Sequence, residues 1–235
     1  MNYTLSPIGK IHSCFTEKFG VPRQPGLASA AQAVVEVYPE YAREEAFRGL
    51  EGFSHIWLIF VFNQSVSDQW RPTVRPPRLG GNQRVGVFST RSPYRPNSLG
   101  MSVVTLDGVN TSDNKVALHI SNHDLVDGTP IVDIKPYIRY ADSVVDATGG
   151  FAPQAPQKQL KVSFTGGAHK QCTEFSGQYP NLAILITQVL ALDPRPAYSK
   201  DNLSDKTYGI QLFDINVCWS VTDQGMVVTN LHRVD

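Results

Sequence analysis

Several features that often reveal a protein's role are missing from this sequence of 235 residues. Its three cysteines lie far apart without a C-x-x-C pair, and its six histidines form neither H-x-H nor H-E-x-x-H, so we expect no protein-bound metal. An odd number of widely spaced cysteines favours reduced thiols in a cytoplasmic protein. The longest apolar run, residues 56–62, is too short to cross a bilayer, and residues 1–15 do not read as a secretory signal. We therefore expect no membrane attachment.

Glycine-rich loops that bind nucleotides are also missing. No two glycines are spaced G-x-G, and the sequence contains neither G-x-x-x-x-G-K-[ST] nor G-x-S-x-G. If a nucleotide-like cofactor binds here, an architecture other than a dinucleotide fold or a phosphate loop must hold it.

Acidic residues are missing from residues 69–106, although the whole chain carries 21 acidic and 21 basic residues. The same segment has no lysine, yet it contains half of the twelve arginines, namely Arg71, Arg75, Arg78, Arg84, Arg91 and Arg95. A patch of one charge selects partners of the other sign, and arginine favours bidentate binding of phosphate or carboxylate. Five prolines and four glycines can hold these side chains in fixed loops. The alternative is a connector whose arginines only face water.

Residues 1–147 have the pattern of a small antiparallel β-barrel. Short β-rich runs at residues 33–38, 84–88, 101–106, 116–121 and 131–134 are separated by turn residues rather than by long helices. The run at residues 53–62 is aromatic and β-branched with little polar alternation, which predicts a strand that is buried on both faces. These patterns predict that the first domain is mainly β.

A second domain is predicted at residues 158–235. Residues 148–157 are rich in Gly, Ala, Pro and Gln and are interpreted as a linker. Helical spacing then appears at residues 169–178 and 182–192, where Asn181 is a candidate N-cap and the second helix is apolar nearly all round. A strand at residues 159–164 and three further strands between residues 208 and 231 complete a small α+β domain.

The segment from Asp124 to Tyr137 contains an unusual density of polar side chains. Asp127-Gly-Thr-Pro is a turn, and Asp133 and Lys135 point to the same side of the strand that follows. Two interpretations stay open. The aspartates can simply cap the turn through the backbone, or the segment can be part of a binding site.

A third motif, Asp193-Pro-Arg-Pro-Ala-Tyr198, follows the apolar helix. The prolines end the helix and predict an exposed loop that carries Asp193, Arg195 and Tyr198. A loop that begins Asp-Pro and carries an Asp and a Tyr resembles the loop of adenine amino-methyltransferases. In those enzymes an oxygen accepts a hydrogen bond from the exocyclic amine, and an aromatic ring stacks on the base. A plain helix-ending loop is the alternative interpretation.

Together with P-R-Q-P-G at residues 22–26 and G-L-E-G-F-S-H-I-W at residues 49–57, these motifs resemble the TsaA-like family and its bacterial tRNA methyltransferase branch. The resemblance runs from residue 7 nearly to the C-terminus. It implies a β-barrel homodimer that uses S-adenosylmethionine. It also implies methylation of the N6 nitrogen of threonylcarbamoyladenosine, beside the anticodon of threonine tRNA.

The resemblance also implies a set of site residues. The cofactor is expected to contact Gln24, Pro25, Gly26, Asn63, Gln64, Arg91, Met101, Asp124, Leu125, Val126, Asp127, Gly128 and Thr129. Members of the family usually have His where this chain has Asn63, and the usual R-P-N-P-I-G reads R-P-N-S-L-G at residues 95–100.

Methyl transfer needs no enzyme nucleophile, so positioning and electrostatics must supply most of the catalysis. The acceptor nitrogen is urea-like, so its proton needs an acceptor; Asp193 is the candidate catalytic base, and Tyr198 is expected to stack on the base of the nucleotide. The remaining candidates bind substrate phosphates or the threonyl carboxylate, namely Arg75, Arg78, Arg95, Asn97, Lys135, Tyr137 and Arg195.

Two other functions are compatible with the sequence. A non-catalytic RNA-binding module would explain the arginines but not the Asp-rich turn or the Asp-Pro-Arg-Pro loop. A methyltransferase for a small molecule would not need the second domain.

Overall fold

The computed structural model describes residues 3–65, 69–156, 160–196 and 206–234. Within these ranges, the N-terminal part of the chain forms eight strands and two short α-helices. These elements are β1 (Gly9–Ser13), β2 (Gln32–Val37), α1 (Glu44–Phe47), β3 (His55–Val61), β4 (Thr73–Val74), β5 (Val85–Gly86), β6 (Leu99–Ser112), β7 (Lys115–Ser121), β8 (Pro130–Pro136) and α2 (Arg139–Asp142). Six strands close into an antiparallel barrel in the order β1-β2-β7-β6-β3-β8, while β4 and β5 form a separate ribbon. The predicted barrel is confirmed.

Strand β3 shows how side-chain alternation builds the barrel. Ile56, Leu58 and Phe60 point inward and are buried, whereas Trp57 and Ile59 lie on the outer face and are only partly covered. The prediction that this strand is buried on both faces is therefore wrong. Its outward positions are occupied by large apolar side chains, which hides the period of two that an antiparallel strand normally displays.

The described residues of the C-terminal part form a four-stranded sheet with two α-helices. Its elements are β9 (Val162–Phe164), α3 (Gly166–Phe175), α4 (Leu182–Ala191), β10 (Tyr208–Leu212), β11 (Ile215–Thr222) and β12 (Gly225–Arg233). The sheet order is β10-β11-β12-β9, and only the β12–β9 pair is parallel. The predicted α+β lobe is confirmed. None of the helices in the described ranges has the length and apolar character needed to span a membrane.

Helix α4 is the main helical contribution to the core of this lobe. Leu185, Ile186 and Val189 are buried, and Asn181 occupies the predicted N-cap position. Ile184, however, is 54% exposed, so the apolar sequence is not buried all round as predicted. One face of the helix packs on the sheet, and the other is left at the surface.

The core of the C-terminal lobe includes residues from the N-terminal part of the chain, whereas the barrel has a core of its own. Phe15, which follows β1, is fully buried among residues of the C-terminal lobe and pairs with Leu212. The backbone N–H of Phe213 donates to the carbonyl of Cys14 at 2.8 Å, and that of Ala30 donates to Gln188 Oε1 at 2.8 Å. Residues 14–31 are thus held between the barrel and the C-terminal sheet. The domain boundaries 1–147 and 158–235 stay a prediction.

Strands β1 and β2 lie so close together at Gly9 that a larger residue does not fit there without a shift of the backbone. A Cβ atom at this position would lie 2.4 Å from the backbone carbonyl oxygen of Glu36, which is held in the barrel. We expect Gly9→Ala to lower the free energy of unfolding by about 1–3 kcal/mol, as overpacking does, in urea titrations. Gly108→Ala is the matched control, because a Cβ on this β6 residue meets nothing within 4 Å. Equal stability of the two variants would contradict the packing argument.

Candidate active site

A pocket of about 210 Å³ opens beside the barrel, where the end of β3 meets the turn that precedes β8. Segments distant in sequence form its wall because barrel closure brings β3 and β8 side by side. Its lining residues are Lys18, Val21, Phe60, Phe62, Asn63, Gln64, Ser65, Pro93, Asp124, Leu125, Val126 and Thr129. Six of these, Asn63, Gln64, Asp124, Leu125, Val126 and Thr129, belong to the predicted cofactor set.

Asp124 is the carboxylate in the wall of the pocket. Its Oδ1 accepts a hydrogen bond of 2.6 Å from the hydroxyl of Ser102, which points inward from β6 and is itself buried. Burial raises the pKa of Asp124 from 3.8 to about 6, while the Ser102 hydrogen bond and the charge of Arg91 oppose that rise. Near neutral pH this carboxylate therefore carries a negative charge in a poorly solvated place.

A second set of predicted residues reaches the pocket through Arg91. Its Nη1 donates to Gln24 Oε1 at 2.7 Å, and its charge acts on Asp124. The loop that carries Gln24 is fixed further on, where the backbone N–H of Gly26 donates to the carbonyl of Asn122 at 3.0 Å. Gln24 and Arg91 are thus joined to each other, and the charge of Arg91 links them to Asp124. Pro25 and Gly26 lie on the same loop as Gln24, and none of the four lines the pocket itself.

Asp127 and Gly128 shape the turn from outside the pocket wall. Asp127 Oδ1 accepts from the backbone N–H of Ser13 at 2.8 Å, and the Ser13 hydroxyl donates to the carbonyl of Leu125 at 2.8 Å. Gly128 has a φ of 72°, a conformation that glycine adopts without strain. The backbone N–H of Gly128 donates to the carbonyl of Ile11 at 2.9 Å, so both residues fix the turn to β1. Asp127 does this through Ser13 rather than by capping its own turn, and a role of the turn in binding stays a prediction.

Met101 lies elsewhere. It is half exposed, and it faces away from Ser102, its inward-pointing neighbour on β6. The alternation of β6 therefore places Met101 on the outer face of the barrel, outside the lining of the pocket within this single chain.

Six lining residues were not predicted, namely Lys18, Val21, Phe60, Phe62, Ser65 and Pro93. Phe60 and Phe62 meet edge to face with ring centroids 5.1 Å apart and form an apolar wall. Lys18 Nζ donates to the carbonyl of Gln64 at 2.6 Å and to Ser65 Oγ at 3.0 Å. The aromatic strand was visible in the sequence as core, but no local pattern marks Lys18, which reaches this position through the fold.

The arginine segment divides into anchored and exposed side chains. Arg95 donates to the carbonyls of Val87 and Thr90, and Arg84 donates to Thr73 Oγ1 at 2.9 Å. Arg78 contacts the carbonyl of Gln154, and Arg75 is exposed.

The remaining substrate candidates lie outside this group of arginines. Asn97 is exposed before β6, and Lys135 forms an ion pair with Asp133 at 3.1 Å. Tyr137 packs beside Trp57, with ring centroids 6.1 Å apart.

Asp193 and Arg195 are buried, so the prediction of an exposed loop is wrong for both. A φ of 53° at Asp193 turns the chain back, and Arg195 Nε and Nη2 donate to the two carboxylate oxygens at 2.8 and 3.1 Å. The pKa of Arg195 is raised chiefly by this hydrogen bonding. Asp193 also interacts electrostatically with Arg23, next to the predicted cofactor loop. Tyr198 lies outside the described residues.

Metal ligation finds no support in the described ranges, which contain no group of three or more His, Cys, Asp or Glu side chains placed to hold an ion.

Two family models cover nearly the whole chain. Residues 10–143 match the tRNA-methyltransferase O N-terminal domain, and residues 157–234 match the TrmO C-terminal domain. The chain is 50% identical over 227 residues to the tRNA (adenine(37)-N6)-methyltransferase of Escherichia coli K12, with 97% of each chain covered. It is 48% identical over 220 residues to a Pseudomonas aeruginosa protein whose name describes an S-adenosylmethionine-dependent methyltransferase, with 93% of each covered.

Solved structures agree with this relationship. The crystal structure of TrmO from Pseudomonas aeruginosa superimposes with a TM-score of 0.83 at 39% identity, covering 99% of each chain. Another crystal structure of TrmO gives a TM-score of 0.82, also at 39% identity, over 98% of this chain and 99% of the other. The barrel and the C-terminal lobe are therefore shared features.

Burial of Asp124 predicts a pH-dependent stability. The raised pKa means that the folded state holds a proton which the unfolded state has released, so this group lowers stability as pH rises from about 4 through 6. We expect Asp124→Asn to be more stable than the parent chain above pH 6, by up to about 3 kcal/mol, and equal to it near pH 4. Urea unfolding from pH 4 to 8 measures this difference, with Asp113→Asn in an exposed turn as control. A destabilised Asp124→Asn at pH 8 would contradict the assignment.

Proposed function

Because the chain belongs to the tRNA-methyltransferase O family, we propose that it is an S-adenosylmethionine-dependent enzyme that methylates the N6 nitrogen of adenosine 37 in tRNA. The proposed target is threonylcarbamoyladenosine beside the anticodon of threonine tRNA. The observation that carries the proposal is the pocket, whose wall combines the Asp124–Thr129 turn with the amides of Asn63 and Gln64.

The residues around the pocket fit the methyl donor chemically. S-adenosylmethionine supplies an electrophilic methyl group on a positively charged sulfur when it is bound. The Asp124 carboxylate is suited to a neighbouring positive charge, and Phe60 and Phe62 offer apolar surface. Asn63 can still donate and accept hydrogen bonds where the family usually has His. We propose that Gln24, Pro25, Gly26 and Arg91 close the same site from outside its lining, and that the Asp127–Gly128 turn supports it.

Removal of the N6 proton needs an acceptor, and we propose Asp193 for this role, with Tyr198 stacking on the target base. The electrostatic interaction of Asp193 with Arg23, which precedes Gln24, supports a position of this carboxylate near the proposed cofactor loop. Arg195 binds both carboxylate oxygens and weakens their basicity. The pair must therefore loosen or shift when substrate binds if Asp193 is to accept a proton.

We further propose that exposed basic side chains hold the tRNA. Arg75 and Arg78 are exposed and are proposed to contact phosphates. Arg95 is half-buried and Arg195 is buried; both stabilise their own loops and are proposed as further contacts. Asn97, Lys135 and Tyr137 are further proposed contacts, for the anticodon loop or for the threonyl carboxylate.

A homodimer in the cytoplasm is part of the proposal. The outer face of β3 and β6 carries large apolar side chains, among them Trp57, Ile59 and the half-exposed Met101. A second copy that covers this face would bury apolar surface which a single chain leaves in water. The cytoplasmic location follows from the proposed substrate.

The proposed reaction is tested directly with purified protein, labelled S-adenosylmethionine and two forms of threonine tRNA. We expect methyl transfer to tRNA that bears threonylcarbamoyladenosine and none to an unmodified transcript, because the arginine surface can bind the additional carboxylate. Nucleoside mass spectrometry of the product identifies the methylated base. Equal transfer to the unmodified transcript would refute the substrate assignment, and saturable RNA binding without any transfer would favour a non-catalytic binding module.

Single-turnover kinetics test the role of Asp193. If its carboxylate accepts the proton, Asp193→Asn should slow methyl transfer by about a hundredfold or more, with cofactor and tRNA affinities nearly unchanged. Arg195→Lys is the matched control, because it keeps the carboxylate and the opposite charge. Equal losses in the two variants, in step with lower melting temperatures, would assign the pair to loop structure rather than to proton transfer.

A further inference from the structure

Two large aromatic rings lie exposed and side by side within the arginine segment. Trp70 is 47% exposed and Phe88 is 69% exposed, with ring centroids 6.1 Å apart and planes inclined by 30°. Trp70 precedes strand β4 and Phe88 follows strand β5, so the small ribbon brings them together. Neither residue lines the pocket, and neither is needed by the reaction proposed above.

These rings are held in place rather than left loose. The backbone N–H of Val87 donates to the carbonyl of Pro72 at 3.0 Å, which joins the segments next to the two rings. Arg95 donates to the carbonyls of Val87 and Thr90 at 3.2 and 2.6 Å, and its guanidinium lies 5.4 Å from the centre of the Phe88 ring. The fold therefore supports an apolar surface that faces water.

The chemistry around the rings selects the partner. A second cation–aromatic pair lies nearby, where the Arg71 guanidinium stands 4.7 Å from the centre of the Tyr94 ring. Flat aromatic faces between fixed positive charges suit nucleobases joined by phosphates. A second copy of this chain suits the surface less well, because residues 69–106 contain no acidic residue and two such surfaces would repel each other.

The surface is also continuous with the pocket. Pro93 lines the pocket, and the next two residues, Tyr94 and Arg95, take part in the cation–aromatic contacts. RNA stacked on the rings would thus lie close to the opening through which a target base must enter.

We infer that Trp70 and Phe88 form a stacking platform for unpaired bases of the anticodon loop, flanked by Arg71 and Arg95. The inference rests on the proposed function, since it takes tRNA as the ligand. Stacking adds affinity without neutralising phosphates, so the contribution of the rings must be independent of salt, unlike that of an arginine.

Binding of a fluorescently labelled anticodon stem-loop RNA at several salt concentrations tests the platform. We expect Trp70→Ala and Phe88→Ala each to weaken binding about fivefold to a hundredfold, with an unchanged slope of log affinity against log salt. Arg75→Ala should instead flatten the slope by about one unit. Trp70→Phe and Phe88→Tyr should keep most of the affinity. Tyr140→Ala, which removes a ring that is 90% exposed outside this surface, is the matched control and should bind as the parent chain does.

The outcomes separate this inference from the proposed function. A parent chain that neither binds nor methylates tRNA would overturn both. A parent chain that methylates tRNA, together with a folded Trp70→Ala/Phe88→Ala variant of normal RNA affinity, would overturn the platform alone. Sedimentation of the same double variant provides the last check: loss of self-association with intact RNA affinity would make the surface a protein interface and overturn the inference. Circular dichroism and melting temperature establish that each variant is folded.

Discussion

The site depends on how Phe15 is placed. Its ring is fully buried in the core of the C-terminal lobe, while its carbonyl accepts from the backbone N–H of Asp127 at 2.7 Å. The same ring meets His123 edge to face at 5.4 Å, next to Asp124. Phe15, which follows β1, thus connects the turn that lines the pocket to the C-terminal lobe. Moving the lobe would move this turn, so the C-terminal part has a structural role at the site besides any contact with RNA.

Asp124 shows how that rigid frame supports an unfavourable charge. Its partners come from separate parts of the chain, Ser102 from the barrel interior and Arg91 from the arginine segment. Their effects do not offset burial, which remains the largest influence on the pKa of Asp124. A negative charge kept in a poorly solvated wall interacts strongly with a positive ligand, because little water competes. The buried charge of Asp124 lowers the free energy of unfolding of the free protein. Binding of a positively charged ligand beside it offsets that cost, which strengthens the affinity for such a ligand.

Local patterns predicted the fold well because barrels are built from short-range alternation. The inward residues of β7, Val116, Leu118 and Ile120, follow a period of two that is visible in the sequence. The Asp124–Thr129 turn was also recognisable as a unit. The Ser102 hydrogen bond was not, because it joins residues whose proximity depends on barrel register. The pairing of Asp193 with Arg195 was missed for another reason, since a left-handed backbone at Asp193 folds the loop back in a way that proline spacing does not reveal.

The arginine segment combines two functions that its composition alone does not separate. Three of the arginines donate hydrogen bonds within the protein: Arg84 to Thr73, Arg91 to Gln24, and Arg95 to backbone carbonyls. They therefore stabilise loops and also carry positive charge. Bonding to a neutral oxygen satisfies a donor but leaves the positive charge in place, and the electrostatic field that attracts a polyanion persists. All six arginines can therefore attract a polyanion, whereas a smaller number of fixed groups must orient it. The exposed aromatic rings beside them are the groups on this surface that can distinguish an unpaired base from a paired one, because only an unstacked base offers its face.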